Sequence, residues 1–158
     1  MAYIVDGNNV MGQTPGWHRD KPQARRRLLE QVAAFARIKK TRITVVFDGA
    51  PDSEFPEGAA HKGVKVLYAD RGSDADARIE RLVESSRDRR GLTVVTSDRR
   101  LALAVRSQGA SVIRSGAFRR WMEEADYSAP TAEDGEEIET GDLNEWMRYF
   151  GETMNDER

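Results

Sequence analysis

Five short apolar runs, at residues 3–5, 43–47, 64–68, 92–96 and 110–113, alternate along the chain with stretches whose apolar positions fall at helical spacing. Runs of that length, rich in β-branched and aromatic residues, read as strands. Between the first two, Leu28, Val32 and Phe35 recur at i, i+4 and i+7 behind Pro22, a residue suited to a helix's first turn. A second helix is predicted to open at Ser73, bury Ile79, Leu82 and Val83, and end before Gly91. A third follows Asp98, with Leu101, Ala104 and Val105 inward and Gly109 past its end. A fourth spans 115–122. Strands alternating with helices build crossover units, so the expected fold is α/β: a mostly parallel central sheet of about five strands flanked by helices.

Two stretches, 7–21 and 49–63, are expected to be loops leaving strand ends, where they would border a groove. Residues 123–141 form a polar stretch leading to Leu143, Trp146, Met147 and Phe150 at i, i+3, i+4 and i+7. The expected organisation is one domain over 1–122, followed by an acidic linker and short amphipathic tail over 123–158.

Charge sharpens that division. Residues 1–122 hold 23 Lys plus Arg against 14 Asp plus Glu, a net of +9, whereas 123–158 hold 2 against 13, a net of −11. A basic body suggests a polyanionic partner, and the acidic tail could fold back on it or reach a neighbouring chain. The chain has no cysteine and only two histidines, His18 and His61, which excludes thiolate metal sites and a Cys/His zinc site. No apolar run approaches the roughly 18 residues of a membrane span. The N-terminus enters a strand without a charged-then-apolar leader pattern, so a cytoplasmic protein is expected.

The candidate chemistry lies in four aspartates. Asp6, Asp48 and Asp98 follow the first, second and fourth runs, and Asp76 sits where the second helix opens. Parallel sheets bind ligands beyond the carboxyl ends of their strands, so these carboxylates are expected to converge there. Two unit charges ~4 Å apart repel by roughly 4 kcal/mol at an effective dielectric near 20. Hard oxygen ligands crowded in this way call for Mg²⁺ or Mn²⁺. Each also has a structural explanation: Asp6-Gly7 and Asp48-Gly49 are turn dipeptides, Ser73 with Asp76 resembles a capping box, and Asp98 or Ser97 could cap a helix. Asp74 is either a fifth acid or a favourable charge at a helix N-terminus.

The ordered set of motifs resembles a family. Ile4-Val5-Asp6-Gly7-Asn8-Asn9, Val45-Val46-Phe47-Asp48, Asp76-Ala77-Arg78-Ile79-Glu80 and Thr96-Ser97-Asp98 are similar to those of YacP-like NYN-domain proteins, within the wider PIN-like nuclease group. The resemblance covers roughly 3–122. It implies a parallel sheet flanked by helices, a divalent metal and RNA endonuclease activity. It further implies that Asp6, Asp76 and Asp98 bind metal with Asp48 in support, that Asn9 is the motif asparagine, and that Asn8 occupies a variable position. The acidic tail departs from the pattern.

Around this centre, Arg99 and Arg100 directly after Asp98 are candidates for phosphate contact. Arg78 either joins them or pairs with an acid. Asn9 and Ser97 are candidates for ordering ligands or holding RNA, and Trp17 and Phe55 for stacking on unpaired bases. The expected function is metal-dependent cleavage of RNA, single-stranded above all. The alternatives are a non-catalytic RNA-binding module and a small-molecule phosphohydrolase; the second is disfavoured because only Asp6, and no D-x-D pair, follows the first strand.

Overall fold

A computed structural model of the chain describes residues 1–127. Its six strands are β1 (Ala2–Asp6), β2 (Arg42–Phe47), β3 (Ala60–His61), β4 (Val64–Tyr68), β5 (Leu92–Val95) and β6 (Ser111–Ile113). They form one sheet in the order β3-β4-β2-β1-β5-β6, parallel except for the two-residue β3. Five helices surround it: α1 (Gly7–Met11), α2 (Lys21–Lys39), α3 (Ala75–Glu84), α4 (Arg99–Ser107) and α5 (Ser115–Tyr127).

Side chains alternate across the strands, so each continuous apolar run feeds two cores. Tyr3, Val5, Val45, Phe47, Val66 and Tyr68 face α2 and α5, where Leu28, Leu29, Val32, Phe35 and Phe118 complete one layer. Ile4, Val46, Leu67 and Val94 face α3 and α4, meeting Ile79, Val83, Leu101 and Val105. The chain builds outward from β1 through β2 to β4, then returns to place β5 on the other side of β1. Because parallel crossovers are right-handed, that reversal puts α2 on one face and α3 and α4 on the other. It also leaves a crevice at the carboxyl end of β1, beside β2 and β5.

Four expectations need correction. The stretch 7–21 is not a plain loop: α1 and a 3-10 turn at Trp17–Arg19 lie within it. Gly7 is accordingly no turn residue; it opens α1 because a β-carbon there would stand 2.5 Å from Cδ1 of buried Phe47. Gly49, with φ +85°, is a true turn glycine. At α3 the cap is Asp74, whose carboxylate accepts from the Ala77 N–H at 2.9 Å, not Ser73. Finally, β3 was invisible as a pattern, since two residues carry no periodicity. Helix α5 begins at Ser115, as expected, and continues beyond Met122 to Tyr127. The amphipathic positions Leu143, Trp146, Met147 and Phe150 lie outside the described residues.

Candidate active site

The four aspartates meet at this crevice. Asp6 ends β1 at 4% exposure. Asp48 follows β2, Asp98 precedes α4 beside the end of β5, and Asp76 lies in the first turn of α3; these three are half-buried. Burial pushes the Asp6 carboxyl up to about 7, and the charge of Asp76 and, more weakly, Asp48 pushes the same way. Asp76 is raised to about 6, first by desolvation and then by Asp98 and Asp74; its carboxyl also shares a hydrogen bond with Asp98. Like charges at close quarters hold a proton between them.

Their neighbours show which aspartates have ordinary structural duties. Asp98 caps α4, its Oδ1 accepting from the Leu101 N–H at 3.1 Å, and Asp48 Oδ1 accepts from the Ala75 N–H at 2.7 Å, anchoring the start of α3. Asp6 occupies the cap position of α1 yet makes no side-chain cap bond. Its Oδ2 instead accepts from Thr96 Oγ1 at 3.1 Å, and the same hydroxyl accepts from the Asp98 N–H at 3.1 Å. The Asn9 N–H, at the third position of α1, eases the Asp6 charge, but less than burial opposes it, so the carboxylate is costly to keep ionised. Capping explains Asp74 and part of Asp98; for Asp6 it offsets only part of the burial.

An asparagine pair ties the strand ends together. Asn8 Oδ1 accepts from the Asp48 N–H at 3.1 Å, linking β1 to β2. Asn9 Oδ1 accepts from the Ser97 N–H at 2.9 Å and from Ser115 Oγ at 2.5 Å, linking β1 to β5 and α5. Ser97 Oγ in turn accepts from the Ser115 N–H at 3.0 Å. The sequence reading missed the roles of Asn8, Thr96 and Ser115, although Asn8 and Thr96 stand inside its motifs. Replacing Asn9 with Ala is expected to orphan the Ser97 N–H and the fully buried Ser115 hydroxyl. The cost should be about 1–3 kcal/mol in a urea melt; an unchanged midpoint would show that these bonds do not brace the rim.

Arg25 was also missed, because its neighbours Arg26 and Arg27 disguise it as one of a surface triplet. It is buried, sits 5.3 Å from the Phe47 ring centroid and 5.2 Å from that of Tyr68, and donates to the Asp48 carbonyl at 2.9 Å. Arg78 takes the pairing role rather than the free one. Its guanidinium donates to Glu57 at 3.0 Å and to the Tyr68 carbonyl at 2.8 Å, with Asp70 at 3.5 Å. Arg99 and Arg100 are exposed on the first turn of α4. Phe55 is buried in the core and unavailable for stacking, while Trp17 is half-buried.

The donor chemistry fits a hard divalent cation: several carboxylates repel one another, while Arg78 is committed to Glu57 and Asp70 and Arg25 to the Asp48 carbonyl. Among the described residues, however, no three such side chains are spaced as a ready-made metal cage.

The raised carboxyls make stability depend on pH. A carboxyl whose folded pKa exceeds its unfolded value favours the folded state at low pH, and that contribution disappears as pH rises through the folded value. The contributions of Asp6 and Asp76 are therefore present below about pH 4 and lost by about pH 6 to 7. Thermal melts in chelator should show a fall in stability across that window, smaller in Asp6→Asn; equal pH dependence in both proteins would contradict the assigned burial effect.

Two solved structures of Rae1 (YacP) from Bacillus subtilis share this fold. A tryptophan-to-leucine mutant matches with 25% identity and a TM-score of 0.67, covering 80% of this chain and 77% of that one. The other matches with 22% identity and a TM-score of 0.65, covering 99% and 91%. No curated protein matches the sequence significantly. No helix among the described residues is long and apolar enough to cross a membrane. The family model for the YacP-like NYN domain matches residues 3–149, nearly the whole chain, and with the strand-end acids and the asparagine pair in place the chain belongs to that family.

Proposed function

We propose that this protein is a divalent-metal-dependent endoribonuclease acting on single-stranded RNA in the cytoplasm. Asp6, Asp48, Asp76 and Asp98 would hold Mg²⁺ or Mn²⁺. The observation that carries this reading is Asp6: a carboxylate 4% exposed, at the sheet's switch point, with its pKa raised by burial and by the neighbouring Asp76 and Asp48. A bound divalent ion supplies a polarised water and a counter-charge for the leaving oxygen. The chain's own groups do the positioning. Thr96 orients Asp6, Asn8 and Arg25 fix the Asp48 backbone, and Asn9 with Ser97 and Ser115 hold the β5 side of the crevice. Arg99 and Arg100 would meet the phosphates beside Asp98.

The direct test incubates the protein with mixed single-stranded and structured RNA, with chelator and with added Mn²⁺. Cleavage of single strands that stops in chelator and returns with Mn²⁺ is the expected result; chelator-resistant cleavage would overturn the metal. One observation favours a second reading, a non-catalytic RNA-binding module: all four carboxylates have protein partners for hydrogen bonds. RNA binding without cleavage under any metal would select it.

Phosphate contact makes a separate prediction. Binding to single strands should weaken with salt at a slope of roughly −0.7 per neutralised phosphate, and replacing Arg99 and Arg100 by Ala should flatten that slope by about 0.7–1.4. An unchanged slope would place the strand elsewhere.

A further inference from the structure

We propose that a groove between α1, α2 and α5 holds one unpaired base of the RNA strand against Trp17, with the flanking phosphates on Arg19, Arg27 and Arg119. The inference deepens the endoribonuclease reading and rests on it for its substrate. The groove encloses about 200 Å³, room for a single planar base. Its apolar wall includes Val10, Met11 and Leu28, all buried side chains of the core. Trp17 packs against that core while remaining half-exposed, so its ring is held in place yet accessible. Such a fixed aromatic wall suits base stacking, which tolerates any sequence because every base has a π-face.

Charge selects the occupant. Three arginines line the groove against one lining carboxylate, Asp20, which accepts from the Gln23 N–H as the cap of α2. Arg119 also donates to Glu123 at 3.2 Å, so most of that selection rests on Arg19 and Arg27. Lys21 adds a fourth cation, its Nζ 5.9 Å from the Trp17 ring centroid. Gln23 and Gln31 on the wall carry both donors and acceptors for a base edge. An apolar slot with a cationic rim matches a base between phosphates.

Position ties the groove to the candidate centre. Helix α1 begins at the residue after Asp6, and Val10 lies four residues on, roughly 6 Å along the helix axis. A strand with one phosphate at Asp6 would thus carry a neighbouring nucleotide to Trp17. The stacked base would set where the strand lies relative to the carboxylates.

The test measures affinity of the full chain, in chelator, for a short single-stranded RNA and for an abasic strand of equal length. Trp17→Ala should weaken binding of the RNA about tenfold and leave the abasic strand unaffected, and Trp17→Phe should restore most of the loss. Arg27→Ala should weaken both strands alike. Thermal melts confirm folding, and the Phe variant keeps the test decisive if the Ala variant unfolds. Equal losses for both strands, or none, would overturn the base subsite. If Trp17→Ala leaves RNA affinity intact but speeds proteolysis within 128–158, the groove belongs to the chain's own C-terminal segment instead. Absence of cleavage by the wild type with the base-dependent pattern intact would sink the nuclease reading alone; no binding of either strand would sink both.

Discussion

Asp6→Asn is expected to reduce RNA cleavage at least tenfold, about 1.4 kcal/mol of barrier, while making the metal-free protein more stable. The two effects have one cause. At pH 8 the Asp6 carboxyl, with a pKa near 7 at 4% exposure, is largely ionised in a site that disfavours its charge. Asparagine keeps an oxygen for the Thr96 hydroxyl and removes the charge, which should add about 1–3 kcal/mol to stability in chelator. A purely structural aspartate would behave oppositely, losing stability on substitution. Asp76→Asn should lose cleavage similarly, because it shares the proton-holding contact with Asp98. Asp98→Asn should also lose cleavage, with little cost to α4 because asparagine caps helices well. Asp74→Asn should be mild on both counts for the same reason.

Gly7→Ala is expected to disturb the fold and the site together. Its new methyl would meet Phe47 at 2.5 and 2.6 Å and Val45 Cγ1 at 3.0 Å. Phe47 is fully buried between β2 and α2, so neither ring nor helix can yield cheaply. Overpacking of this kind costs about 1–3 kcal/mol. The displacement would fall on α1 and therefore on Asp6 and Asn8, so cleavage should drop with stability. Gly58→Ala provides the contrast: nothing lies within 4 Å of its added methyl, and its penalty is only that of a positive φ of +80°. A thermal melt in which Gly7→Ala matches the wild type would show that α1 does not pack where described.

The strands, the main helices and the sheet's parallel character were legible because a parallel sheet covered on both faces writes continuous apolar runs into the sequence. Convergence of Asp6, Asp48, Asp76 and Asp98 was legible for a related reason: carboxyl ends of neighbouring parallel strands share one rim. What stayed hidden depends on partners distant in sequence. Arg25 reads as one of three consecutive arginines until Phe47, Tyr68 and the Asp48 carbonyl are seen around it. Phe55 reads as a loop aromatic, but its carbonyl accepts from the Tyr68 hydroxyl at 2.6 Å and its ring is buried. Asn8 reads as variable beside Asn9, yet each asparagine stitches β1 to a different neighbour. The Asp6-Gly7 pair reads as a turn because a close approach to Phe47 leaves no local signature.

The central claim is that this carboxylate cluster is a metal-dependent catalytic centre for RNA. It is tested most directly by titrating Mn²⁺ into the wild type and into Asp6→Asn, following calorimetric binding and single-turnover RNA cleavage on the same samples. Cleavage should rise with the same midpoint as Mn²⁺ occupancy in the wild type, and both should be lost in a folded Asp6→Asn. An Asp6→Asn protein that binds Mn²⁺ and cleaves RNA like the wild type would contradict the account.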